Sequence, residues 1–168
     1  MRFIEHFRIA CQQRFIEILH SMAQRRGSSA DLPAHLITGI EGESAAYFYL
    51  RRKGYTVVAR RWTSHEIPGD LDLIAWQESQ LCFIEVKARS AHDETPAEHA
   101  VDAEKRSTLR RLARQYMRQL PGDSPPAVRF DILSVYLIPG QKPEFQHFQS
   151  AFGWSEPHPS GRWGEMNG

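Results

Sequence analysis

Residues 70–88 hold two strand-length runs separated by a short polar turn, Gln77-Glu78-Ser79-Gln80. The first run is Asp70-Leu71-Asp72-Leu73-Ile74-Ala75-Trp76, and the second is Leu81-Cys82-Phe83-Ile84-Glu85-Val86-Lys87-Ala88. Side chains alternate faces along a strand, so Ile84 and Val86 look one way and Leu81 and Phe83 the other. The second run therefore predicts a strand buried on both faces up to its charged end. Glu85 and Lys87 project from one face, and Asp70 and Asp72 share a face by the same rule. Paired as a hairpin, the runs bring two acids and a lysine to one point of the sheet. An unpaired buried charge is very costly, so these groups need partners. Two arrangements satisfy them. One is a structural ion pair. The other is a site in which carboxylates hold a hard divalent cation and a lysine assists, the combination that phosphodiester hydrolysis requires.

At 168 residues the chain suits one domain whose core needs no covalent staples. Its apolar and charged fractions, 41% and 24%, are those of an ordinary globular protein. Cys11 and Cys82 fall in a helix-like and a strand-like segment, which is no disulfide framework and fits a reducing cytosol. A net charge of +1 gives no global nucleic-acid signature, so such a partner must be argued from local clustering. No stretch is long and apolar enough to cross a membrane. Glu5, His6, Arg8, Gln12, Gln13 and Arg14 interrupt any secretory core at the N-terminus, and the expected location is cytoplasmic.

The rest of the chain divides into three parts: 1–35, 36–153 and a loose tail 154–168. Residues 2–26 predict an amphipathic helix, since Ile4, Phe7, Cys11, Phe15, Ile18 and Met22 recur near the helical period. Packing on the domain is the first role for it, and a protein partner or a second copy of the chain the next. Residues 27–33 read as a linker. A helix is predicted over 40–53, closed by Gly54. Glu43 shares the inward stripe of Ala46, Tyr47 and Leu50, which means either an ion pair with a core arginine or a third site carboxylate. Tyr55 to Trp62 predicts a strand, and 63–69 the loop into the Asp72 run. A second amphipathic helix is expected over 98–120, ended by Pro121-Gly122. Val128 to Tyr136 predicts a strand and Glu144 to Phe148 a short last one. Asp131, beside Arg129, reads as structural.

The helix over 98–120 carries Lys105, Arg106, Arg110, Arg111, Arg114 and Arg118 away from its apolar stripe. Arginine suits phosphate recognition, so this face is either a track for a nucleic-acid backbone or a solvated surface.

An acid followed, after a spacer, by Glu-x-Lys resembles the PD-(D/E)xK pattern of the restriction-endonuclease-like nucleases. More closely, Gly39 to Phe152 resembles the bacterial YraN-type family, whose members are predicted nucleases. The resemblance rests on Gly39-Ile40-Glu41-Gly42-Glu43-Ser44-Ala45-Ala46, Leu50 with Lys53-Gly54-Tyr55, and Gly69-Asp70-Leu71-Asp72-Leu73-Ile74. It continues through Phe83-Ile84-Glu85-Val86-Lys87-Ala88-Arg89, Ala100-Val101 with Lys105, Arg129-Phe130-Asp131, and His147 with Ala151-Phe152. The family pattern has Glu at the place of Asp70 and Thr at that of Ala88.

The resemblance implies an α/β fold, a central mixed β-sheet flanked by helices, with the N-terminal amphipathic helix as an addition. It also implies that Asp72 and Glu85 ligate Mg²⁺ or Mn²⁺ with the Val86 carbonyl, and that Glu43 joins directly or through water. Lys87 would orient the hydroxide and meet the charge that builds at phosphorus. Lys105, Arg106, Arg110, Arg111 and Arg114 would contact nucleic acid, DNA rather than RNA, with branched or flapped DNA as the candidate substrate. The competing readings are a nucleic-acid-binding module that does not cut, and an adaptor that recruits a partner through residues 2–26.

Overall fold

The hairpin forms as its pattern requires. In the computed structural model, which describes residues 34–91, 101–121 and 124–155, β2 (Asp70–Gln77) and β3 (Gln80–Arg89) pair antiparallel. Before them β1 (Thr56–Thr63) runs antiparallel to β2, with a bulge between Val57 and Ala59. The chain then leaves the sheet through a helix and returns as β4 (Ala127–Tyr136), parallel to β3. The last strand, β5 (Glu144–Phe152), is antiparallel to β4. The five strands stand in sequence order, a mixed sheet with the single parallel pair at its centre.

One helix covers each face, which is why β3 and β4 are apolar on both sides. Helix α1 (Ala34–Arg52) packs Ala46 and Leu50 on Leu73, Ala75, Cys82, Ile84, Leu133 and Val135. Helix α2 (Ala103–Met117) packs Leu109, Leu112 and Ala113 on Leu71, Ile74, Phe83, Phe130 and Ile132. The result is an α/β sandwich of three layers.

Element boundaries follow from local chemistry. Helix α1 begins well before the expected residue 40, because Leu36 and Ile40 lie on its exposed side and leave no burial signal there. It ends as expected at Gly54, whose φ of 90° suits a residue without a β-carbon. The Tyr55 N–H donates to the Leu50 carbonyl at 3.0 Å and the Gly54 N–H to that of Arg51 at 3.2 Å, the Schellman closure. Helix α2 starts at Ala103 rather than 98, because the Asp102 carboxylate accepts the Lys105 N–H at 2.7 Å and caps the first turn. Strand β5 runs on to Phe152, beyond the expected 148, since the Asp131 carboxylate accepts the Ser150 N–H and carries the pairing across a second bulge. The helix expected over 2–26, its linker and the tail beyond Ser155 lie outside the described residues.

Candidate active site

The ladder between β2 and β3 stops where the charged residues begin. Its last pair is Leu73 with Ile84, and beyond it the Val86 N–H donates to Asp72 Oδ2 at 2.7 Å. The carboxylate thus replaces a strand partner, and its position is set by backbone. Glu85 follows Phe83 on the face toward α2, opposite Ile132 of β4. Being on the central strand, it is only 4% exposed, and Asp72 is 8% exposed.

Two lysines answer Glu85, one on each oxygen. Lys87 Nζ lies 3.1 Å from Oε1, and Lys105 Nζ, from the first turn of α2, lies 3.2 Å from Oε2. On the other side Glu43 arrives from α1. The helix backbone crosses β3 at Gly42, where an added β-carbon would overlap that of Ala88, so the following residue hangs over the strand end. Arg61 Nε stands 3.8 Å from both Glu43 Oε2 and Asp70 Oδ2, and bridges α1 to β2. Its φ of 46° is left-handed, a conformation that costs a non-glycine residue about 1 kcal/mol.

Crowded carboxylates shift each other. Burial, followed by the charge of Glu85, pushes Asp72 up to about 7, against the pull of the Val86 N–H and the Lys105 ammonium. Burial also raises Glu43; Arg61 opposes this, while Asp70 and Glu85 add to it. The folded protein therefore keeps a proton on Asp72 over a range in which the unfolded chain has lost it, and stability falls as pH rises through that range. We expect the melting temperature in EDTA to decline between pH about 4 and about 7, from the ordinary aspartate value to the shifted one. Asp72→Asn should flatten that slope, and an unchanged slope would refute the assignment.

The model of Uncharacterised protein family UPF0102 matches residues 42–135. This chain belongs to the UPF0102 family. It is 50% identical to the UPF0102 protein of Koribacter versatilis (strain Ellin345) over 122 residues, 73% of this chain and 83% of the relative. The UPF0102 protein of Solibacter usitatus (strain Ellin6076) is 49% identical over 104 residues, 62% of this chain and 78% of that one. That of Nocardia farcinica (strain IFM 10152) is 39% identical over 115 residues, 68% and 87%. The stretch matched to UPF0102 contains Glu43, Asp72, Glu85, Lys87 and Lys105, so the whole cluster is built from family sequence.

The site brings together Asp72, Glu85 and Lys87, with Glu43 within electrostatic reach. Val86 enters through its N–H. Lys105 turns away from the arginines and into this cluster. The arginine face itself is divided. Arg110 is 7% exposed; its Nε donates to the Gly153 carbonyl at 2.7 Å and its guanidinium lies over Phe152. Arg106 donates to the Val101 carbonyl at 2.9 Å and also lies over Phe152. These two tie α2 to β5. Arg111, Arg114 and Arg118 remain exposed, Arg114 over the Trp154 ring. Arg61 was not foreseen from sequence. Nothing in the period of β1 marks it, because its role depends on contact with α1.

Proposed function

We propose that this UPF0102 protein is a divalent-cation-dependent nuclease of the PD-(D/E)xK kind, with DNA as its substrate and branched or flapped DNA as the favoured form. The observation that carries the reading is the pair of buried acids Asp72 and Glu85 at the frayed end of a hairpin, with the Lys87 ammonium 3.1 Å from Glu85.

The donors fit Mg²⁺ or Mn²⁺. Both acids offer the hard oxygens such ions prefer. Glu85 Oε2 is buried with the Lys105 ammonium 3.2 Å away, and burial, followed by the charge of Glu85, lifts Asp72 to about 7. Among the described residues no three His, Cys, Asp or Glu side chains stand close enough to complete a ligand set. Asp72 and Glu85 would therefore hold the ion, with the Val86 carbonyl, water and a water-linked Glu43 filling the remainder. When bound, the ion lowers the pKa of water and offsets phosphate charge. Lys87, tethered to Glu85, donates to the attacking water and meets the negative charge that grows on the phosphate oxygens. Asp72, held by the Val86 N–H, keeps its oxygens in place without rearrangement.

The exposed arginines of α2 give the substrate its grip. Each phosphate neutralised should contribute roughly 0.9 to the slope of log affinity against log salt. Replacing Arg111, Arg114 and Arg118 by Ala should weaken binding of all sequences alike and flatten that slope, read by fluorescence anisotropy on a labelled duplex at several salt concentrations. A slope equal to the parent's would show that this face is merely solvated. The deciding experiment is a cleavage screen with Mg²⁺ and Mn²⁺ on linear, nicked, flapped and four-way-junction DNA, alongside Asp72→Ala. The expected result is slow, metal-dependent cutting of branched forms by the parent and none by the variant.

One observation favours a second reading. Glu85 already has a lysine at each oxygen, which is how a charge cluster without a metal would be balanced. Binding without cleavage across every substrate and metal would support a non-catalytic nucleic-acid-binding module.

A further inference from the structure

A lysine in the first turn of a helix stands at the wrong end of the dipole, where acids are favoured. Helix α2 follows that rule with Asp102 and Glu104, yet its third residue is Lys105. The Lys105 backbone is anchored by the cap, its N–H 2.7 Å from Asp102 Oδ1. Its side chain turns inward rather than out to water, 30% exposed and 3.2 Å from Glu85 Oε2. Helix stability does not explain this residue here, but the carboxylates do.

Glu85 has two lysine partners. Lys87 donates to Oε1 at 3.1 Å, and the Lys105 ammonium lies 3.2 Å from Oε2, so each oxygen faces one positive charge. Asp72 accepts the N–H of Val86, the residue after Glu85, so an ammonium beside Glu85 stands close to both acids. One ammonium on a capped helix thus faces the acids that β2 and β3 deliver to the site.

We propose that Lys105 is the built-in counter-cation of the Asp72–Glu85 pair: it neutralises the acids in the metal-free protein and yields Glu85 when a divalent cation binds. This rests on reading the two acids as cation ligands. An ion at Glu85 Oε2 and an ammonium 3.2 Å from that oxygen repel each other, so the two compete for it. The displaced ammonium is then available to a phosphate oxygen of the bound nucleic acid. Lys105 is accordingly a positioning residue that holds Glu85 in place before the ion arrives, and it sets how tightly that ion is held.

The test is a calorimetric Mn²⁺ titration of the full chain without nucleic acid, comparing the parent with Lys105→Met, Lys105→Arg and the Asp72→Ala, Glu85→Ala double variant. Removing the competing charge should tighten Mn²⁺ binding about tenfold in Lys105→Met, the scale of one charge-assisted contact. Lys105→Arg, which keeps the charge, should stay near the parent. A second measurement needs no variant. Amine acylation of the parent, read by mass spectrometry, should be faster at Lys105 when Mn²⁺ is present. If Mn²⁺ binding depends on Asp72 and Glu85 but is no tighter in Lys105→Met, the counter-cation role is wrong and the ligand reading stands. If neither the parent nor Lys105→Met binds Mn²⁺, both fail together. If Lys105→Met does not fold, acylation decides, and a Lys105 rate indifferent to Mn²⁺ overturns the proposal.

Discussion

Lys87→Ala is expected to lower the rate of metal-dependent cleavage by about two to three orders of magnitude, the usual cost of losing one electrostatic contact to a transition state. Lysine is a poor ligand for a hard cation, so Mn²⁺ affinity should remain largely intact. Nucleic-acid affinity should change little, since one of many positive charges is lost. The split follows from position. Lys87 shares a face of β3 with Glu85, is 30% exposed, and holds Oε1 alone, whereas the ammonium that weighs on Asp72 belongs to Lys105. Single-turnover cleavage measured beside Mn²⁺ titration checks it. Equal rates for parent and variant would remove Lys87 from the chemistry, and a collapse of Mn²⁺ binding would show that it only supports the acids.

Asp131→Ala should cost about 3–5 kcal/mol of folding stability, the range for stranding one member of a buried ion pair. Asp131 is fully buried, and Arg129 grips both its oxygens, at 2.8 and 2.9 Å. His147 Nε2 lies 2.9 Å from Oδ2 and the Ser150 N–H donates to Oδ1 at 3.0 Å. Arg129 also donates to the Tyr55 hydroxyl, so removal of the carboxylate unsettles β1, β4 and β5 together. Burial alone would raise the Asp131 pKa; the His147 and Arg129 contacts and the Ser150 N–H outweigh it and hold it below the ordinary value of 3.8. A depressed acid contributes stability above its unfolded pKa and loses it as pH falls through the folded one. The parent should therefore lose stability below about pH 4 more steeply than Asp131→Ala. Urea denaturation at several pH values measures both effects. Asp131 pairs with Ile84 and so faces α1, while Glu85 pairs with Ile132 and faces α2. Mn²⁺ affinity should consequently be untouched, and a loss of under about 1 kcal/mol would mean that the network is not the support it looks to be.

Lys87 and Asp131 both lie in the stretch 42–135 that matches the family, but they are not equally legible in the sequence. The motif around Lys87 was legible because Glu-x-Lys on an apolar run is a local pattern. The Asp131 cluster was only half legible. Arg129 and Asp131 stand two apart and so share a face, but Tyr55 joins them from just before β1, and His147 and Ser150 from β5. The arginines of α2 show the limit most clearly. Their spacing places them off the apolar stripe, yet Arg110 is 7% exposed because β5 passes beside the helix and offers the Gly153 carbonyl.

By itself the sequence determined the strands, the hairpin, the helix end at Gly54, and the meeting of Asp72, Glu85 and Lys87. Each depends on alternation, capping or turn chemistry among residues close in the chain, where geometry is set by the backbone. Tertiary structure alone decided the partners of those residues. It laid α2 across β3 and β4 so that Lys105 reaches Glu85, drew Arg61 between Glu43 and Asp70, and folded Arg106 and Arg110 back on Phe152. Lysine and arginine end in a charge on a long flexible stem. The period of a helix or strand states where such a stem begins, and only the elements packed around it determine where the charge comes to rest.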